Sequence, residues 1–139
     1  MEADLKKIRF ITMALMSSLA AFAVIAWIIS DKYGYGASSE GKINFLRATV
    51  YFVTLMQLML AFFLRKMISA AKNANPSMRM TLQIVVNIFC EIIALSGLAL
   101  VFISKNFTDY VIFGIISAAA FLIFFPQRDQ WLSNQNGRN

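Results

Sequence analysis

Side chains able to do chemistry are scarce in the apolar stretches of this chain, so the few that occur there stand out. Residues 80–104 form a long run broken by a single charge, Glu91. Gln83 and Asn87 precede it at steps of four, which puts all three on one face of a helix. The apolar stretch before it carries Arg47, Tyr51, Thr54 and Gln57 at steps of four, three and three, a second polar stripe. At ~1.5 Å of rise per helical residue, Glu91 lies about 16 Å from one end of its run, and Gln57 about 20 Å from the opposite end of its own. On helices running in opposite directions these two depths coincide. Ser17 and Ser18 in the first apolar run, and Ser117 in the last, fall in the same central zone. A polar layer is therefore expected to converge on one carboxylate, with the seam between the second and third runs as the interior.

Two kinds of chemistry suit such a carboxylate. As a neutral acid it can hydrogen-bond Gln57 or a serine and tie helices or subunits together, a contact typically worth about 0.6 kcal/mol. As an exchangeable group it can take up a proton or a small cation. Ionisable side chains at the centre of a bilayer cost at least ~2.5 kcal/mol when charged and are functional candidates by default. Arg47 is separated from Glu91 by roughly 15 Å of height. It is expected to snorkel toward the outer headgroups rather than to pair with that carboxylate.

Other chemistries find little support. Ser17 and Ser18 have no His or Lys at a compatible depth to activate them. Cys90 has no neighbouring cation that would favour a thiolate. No pair of carboxylates is placed for general acid–base hydrolysis, and the chain is not expected to be an enzyme. With no His and one Cys, zinc, haem and iron–sulfur ligation are unsupported and no cofactor or metal is expected. The abundant Met and Phe residues read as packing and lipid contact.

The elements that would position these residues are four apolar runs, 10–30, 48–64, 80–104 and 110–127. Each approaches or exceeds the ~20 residues that cross a hydrocarbon core. Only 14% of the 139 residues are charged, against about a quarter in soluble domains, and the charges sit at the edges of the runs. Strand-like alternation is absent, so barrels are excluded and helices expected. The spans are placed at about 8–30, 44–64, 80–104 and 108–125, with Trp27 near the outer interface. The connection 31–43 reads as a solvated loop, and the cluster Asn73, Asn75, Pro76 and Ser77 as a turn with a helix-stopping proline. A connection as short as 105–109 makes the third and fourth spans antiparallel neighbours, with Lys105 and Asp109 available to cap helix ends. Pro126 is expected to end the fourth span, with Arg128 and Trp131 anchoring the inner interface and 127–139 a polar tail.

Charge gives the orientation. Nine basic residues (Lys6, Lys7, Arg9, Arg65, Lys66, Lys72, Arg79, Arg128 and Arg138) flank one side, against three on the other (Lys32, Lys42 and Lys105). The positive-inside rule then puts both termini in the cytoplasm, in a plasma or bacterial inner membrane. The net charge of +6 is thus accounted for by topology and anionic headgroups, with no nucleic-acid partner. Glu2 and Asp4, and an apolar run longer than a signal-peptide core, favour an uncleaved first span.

Cys90–Ser104 reads CEIIALSGLALVFIS, with Glu91 followed by Ala94, Leu95 and then Gly97–Leu98. It resembles the carboxylate-bearing helix of the proteolipid (c or K) subunits of rotary ATPases. The resemblance implies that Glu91 is an exchangeable proton or sodium site, entered after a cytoplasmic loop, and that Gly97 permits close helix approach. The preceding span, YFVTLMQLMLAFF, departs from that family because it is bulky and lacks small-xxx-small spacing. A tight rotor ring is therefore not expected.

The sequence thus predicts an all-α integral membrane protein, a single antiparallel four-transmembrane-helix bundle. Its expected role is as a subunit of a larger membrane complex, or as a homo-oligomer, using mid-membrane contacts of Glu91, Gln57, Asn87, Ser17, Ser18 and Ser117. The alternative is a proton- or sodium-handling protein with Glu91 as the binding carboxylate. The expected partners are the lipid bilayer and either other membrane subunits or further copies of the chain.

Overall fold

The computed structural model describes residues 2–33, 40–70 and 76–127. Among these the chain is all-helical, with α1 Glu2–Tyr33, α2 Glu40–Ala70, α3 Pro76–Ser104 and α4 Phe107–Ile123. Three of them contain stretches long and apolar enough to cross a membrane: 2–32, 41–68 and 77–104. α4, with 17 residues, is the short one, about 26 Å long at 1.5 Å per residue. Trp131 and the tail beyond Gln127 lie outside the described residues, as do Lys72, Asn73, Asn75 and residues 34–39 of the first connection.

α1, α2 and α3 are longer than their hydrophobic runs because their ends are polar residues with good helical chemistry. α1 opens with Glu2 and Asp4 in its first turn and closes with Lys32 in its last, each complementing the helix dipole. Pro76, expected to stop a helix, instead starts α3. At the first helical position a proline gives up an N–H that has no partner anyway, and its fixed φ suits the helix. α4 is capped by Asn106, whose side chain accepts a hydrogen bond from the Thr108 N–H at 3.0 Å. Asp109, one of the two residues expected to cap helix ends, lies in the first turn of α4. Lys105 takes a left-handed φ of 55°, the conformation that commonly ends a helix, and its N–H returns to the Val101 carbonyl at 2.8 Å. α4 ends at Ile123 rather than at residue 125. The residue before a proline is biased away from helical backbone, and Phe125 precedes Pro126.

α3 is the central helix, packed against α4, α1 and α2, while α1 also packs against α4. Half of the α3 span is buried, compared with 11% for α1 and for α2. Cys90 and Val86 meet Ala61, Ala120 and Phe121 in the largest apolar cluster. Leu98 and Val101 meet Ala26, Ile29 and Tyr110 in a second. α2 touches the rest along a narrow seam. Its buried residues Thr54, Ala61 and Ile68 are spaced by seven, the period of a coiled-coil contact line. Phe45, Phe52, Met59, Phe62 and Phe63 of α2 remain exposed, as do Phe10 and Trp27 of α1.

Gly97 sets how closely α3 and α4 approach. A Cβ at this position would fall 2.5 Å from the Phe113 Cβ, and Phe113 is fully buried. Gly97→Ala is expected to push the two helices apart and destabilise the protein by about 1–3 kcal/mol, the usual cost of overpacking. Equilibrium unfolding of the purified protein in mixed micelles measures this, and an unchanged midpoint would mean that the approach at Gly97 is not tight.

Candidate functional site

Polar side chains on α3 at steps of four run from its start toward its middle: Arg79, Gln83, Asn87 and Glu91. The first three are buried and Glu91 is half-buried. The partners of Gln83, Asn87 and Glu91 come from α3 itself, from α1 and from the C-cap of α4. The Asn87 amide donates to Thr12 Oγ1 at 2.8 Å, and the Thr12 hydroxyl donates to the Ile8 carbonyl of its own helix, also at 2.8 Å. Gln83 donates to Asn87 Oδ1 at 3.3 Å and to the Phe124 carbonyl at 2.9 Å. One turn further along, Ser18 Oγ stands 3.1 Å from Glu91 Oε1 and 2.6 Å from the Leu15 carbonyl. The same arrangement thus occurs twice, a polar side chain of α3 meeting a hydroxyl of α1 that is also bonded to its own backbone.

The positions singled out by sequence take different places. Glu91, Ser18 and Asn87 line the α1–α3 seam. Ser117 is fully buried and donates to the Cys90 carbonyl at 2.6 Å, linking α4 to the residue beside Glu91. Ser17 is exposed and bonds only its own Ala14 carbonyl, at 2.6 Å. Gln57 is not joined to Glu91, and its Oε1 is buried without a partner, as is Thr54 Oγ1. The polar interior therefore lies between α3 and α1 rather than between α3 and α2. Side-chain depth matched Gln57 to Glu91, but the carboxylate is taken up by Ser18 of α1, and Gln57 stays half-buried on α2. Gly97 lies beyond the polar stripe, against α4.

Two polar clusters were not anticipated. The first gathers around the C-terminal end of α4, where the last carbonyls of a helix lack intrahelical donors. Gln83 of α3 donates to the Phe124 carbonyl, and Arg9 of α1 donates to the Pro126 carbonyl at 3.2 Å. Arg9 also lies 5.8 Å over the Phe125 ring, and Arg65 of α2 lies 5.6 Å over the Phe124 ring, both within cation–π range. All three other helices thus hold this end.

The second cluster is a charge pair between α2 and α4. Arg47 donates through Nε to Asp109 Oδ1 at 2.9 Å and through Nη2 to Oδ2 at 3.0 Å, a two-point geometry that gives strength and direction. Ser104 at the end of α3 donates to the same Oδ2. Arg47 is therefore tied within the protein instead of snorkelling to headgroups. Tyr51, one turn further along α2, stacks on Phe113 with ring centroids 4.9 Å apart. Compared with protein-family models, curated proteins and solved structures, the chain matches none.

The exposure of the two charges is unequal, 29% for the Arg47 side chain and 7% for Asp109. Removing one partner of a buried pair is costly because the other charge is stranded. Arg47→Met strands the more buried group and is expected to cost about 3 kcal/mol. Asp109→Asn is expected to cost less, because a long arginine can carry its charge out to water. The Arg47→Met/Asp109→Asn double variant should recover most of the loss in a denaturant-unfolding cycle. Strictly additive losses would show that the pair does not couple.

Proposed function

We propose that the chain is an antiparallel four-helix integral membrane protein with cytoplasmic termini, in which Glu91 handles a proton or small cation. Several observations support the bundle. Contacts between α3 and α4 pair rising with falling numbers, Gln83 with Phe124 and Ser104 with Asp109. Contacts between α1 and α3 rise together, Thr12 with Asn87 and Ser18 with Glu91. α4 is short for a ~30 Å hydrocarbon core, but its carbonyl end is supplied with donors, as a helix ending in an apolar surround requires. The exposed aromatic and methionine side chains of α1 and α2 suit a lipid surround.

The observation that carries the functional reading is the stripe Arg79–Gln83–Asn87–Glu91. It joins the predicted cytoplasmic end of α3 to a carboxylate near mid-span. Beyond Glu91 the same face continues as Ala94, Leu98 and Val101, all buried in apolar clusters or contacts. A carboxyl group with polar neighbours on one side only is arranged for exchange with one aqueous phase. Glu91 and its partner Ser18 are half-buried, whereas Thr12, Gln83 and Asn87 are closed off. Gln83, Asn87 and Ser117 find partners within the chain, which leaves them little to offer a neighbouring subunit.

A second reading rests on a different observation. Thr54 Oγ1 and Gln57 Oε1 on α2 are buried without partners, and such atoms carry a desolvation cost of about 1–3 kcal/mol each. A shift of α2 against another subunit or a second copy would relieve this, and the chain would then be a structural component of a larger complex.

Labelling with a hydrophobic carbodiimide, which attacks a protonated carboxyl in an apolar setting, separates the two. Ion handling predicts covalent modification of Glu91 in native membranes that falls as pH rises and is abolished in Glu91→Gln. A Glu91 inert at every pH, together with loss of the native complex in Gln57→Leu, would instead establish the structural reading.

A further inference from the structure

We propose that the C-terminal end of α4 is the floor of a site for one anionic phospholipid, whose phosphate is held by Arg9 of α1 and Arg65 of α2. This inference rests on the membrane-bundle part of the reading above and is independent of what Glu91 does. Arg9 lies 5.8 Å over the Phe125 ring and Arg65 5.6 Å over the Phe124 ring, so two helices bring guanidinium groups to consecutive residues. Both arginines are half-buried. Arg9 also gives its Nε to the Pro126 carbonyl at 3.2 Å. Among the described residues no acceptor meets the Nη groups of Arg9 or the fork of Arg65. A ring contact engages the positive charge, and the planar fork that remains matches the oxygens of a phosphate two at a time.

The shape of this end suits a lipid better than a free anion. α1 runs from Arg9 back to Glu2, and α2 from Arg65 on to Ala70. Both therefore continue roughly 7–10 Å past the level of Phe124–Pro126, at 1.5 Å per residue. Phe124 and Pro126 are buried and close the floor. One turn deeper, on the same helix faces as the arginines, stand Met13 and Phe62, both exposed. Leu122 and Ile123 of α4 are exposed beside this end as well. Charge at the interface thus passes into apolar side chains toward the bilayer centre, the order of phosphate and acyl chain in a phospholipid. A free anion would use the charge and leave the apolar part uncovered.

The electrostatic balance favours an anion here. A helix C-terminus carries roughly half a negative charge, and at α4 part of it is already met by Gln83 and Arg9. Two full positive charges exceed what is left. Glu2 and Asp4, the acidic residues of this end, sit in the first turn of α1 and have partners of their own. Arg79 of α3 is buried and likewise partnered. Lys7 and Lys66 are exposed and add only a general attraction to an anionic surface. Basic recesses between spanning helices on the cytoplasmic side bind single anionic headgroups, and Arg9 and Arg65 form such a recess around the end of α4.

The test is native mass spectrometry of the purified full chain in micelles, titrated with phosphatidylglycerol or with zwitterionic phosphatidylcholine. The unaltered protein is expected to retain one phosphatidylglycerol at concentrations where phosphatidylcholine is lost. Arg9→Gln and Arg65→Gln should each weaken retention about five-fold, the effect of one basic residue beside anionic headgroups. Lys7→Gln and Lys66→Gln should change it little. Circular dichroism checks that each variant is helical, and Arg65→Gln, which removes no described hydrogen bond, carries the test if Arg9→Gln does not fold. Equal losses in all four variants would reduce the effect to diffuse attraction and overturn the proposal. Equal retention of the two lipids would overturn it too, as would release of the bound lipid by millimolar inorganic phosphate, which marks a free-anion site. Failure of the chain to float with phosphatidylglycerol vesicles would remove the membrane-bundle reading itself, and the proposal with it.

Discussion

In a chain with so little polar surface, buried polar groups depend on partners inside the protein, and α3 carries three of the seven such residues among those described, Arg79, Gln83 and Asn87. An unmade hydrogen bond in an apolar surround costs the full desolvation of the group. The stripe from Gln83 to Glu91 meets this requirement by using two hydroxyls of α1 and a carbonyl of α4. These bonds fix the rotation of α3 about its own axis, because a turn of the helix in either direction would strand Asn87, which is fully buried. Close packing follows from that rotation. With the stripe toward α1, Gly97 is set against Phe113 and Cys90 against Ala120 and Phe121.

The helices themselves were legible in the sequence, because long apolar runs bounded by charges admit no other regular structure. Their ends were less so. Sequence hydropathy stops where the apolar residues stop, whereas helical hydrogen bonding continues through Glu2–Lys7 and Arg65–Ile68, residues that are good helix formers or amphipathic enough to tolerate an interface. Pro76 illustrates the ambiguity. The same residue that cannot sit inside a helix is favoured at its first position, and only the backbone shows on which side of it the helix lies.

The partners of the polar residues were half legible. Periodicity put Gln83, Asn87 and Glu91 on one face, but the choice of α2 over α1 as the opposing helix rested on depth and on the polar stripe of α2, whose Arg47 is taken up by Asp109 instead. Depth is shared by every helix in a bundle, so it cannot rank them. Hydroxyls are the weaker signal in such a search, since Thr12 and Ser18 can satisfy their own proton on the backbone of their own helix and need no neighbour. The Arg47–Asp109 pair carried a clearer signal. Arg47 is three residues inside the expected second span, and Asp109 is within the connection that opens the fourth. Both therefore stand near the same end, and opposite charges at equal height in an apolar setting have strong reason to meet.

The distribution of polar contacts along α3 also bears on direction. On the proposed topology, everything from Arg79 to Glu91 belongs to the cytoplasmic half of the helix, and the outer half is closed by Leu98, Val101, Ala26 and Ile29. Rigidity is distributed the same way. The outer half is held by a tight glycine contact, a stacked ring pair and a two-point charge pair. The inner half is held by the largest apolar cluster and by the hydrogen bonds of Gln83, Asn87 and Ser18. The ion handling proposed for Glu91 calls only for hydroxyl and carboxyl protons to reorient, while the Gly97–Phe113 contact holds α3 against α4. The contacts around Gly97 and Asp109 thus give a fixed frame for the α1–α3 seam, where the proposed change of charge would fall.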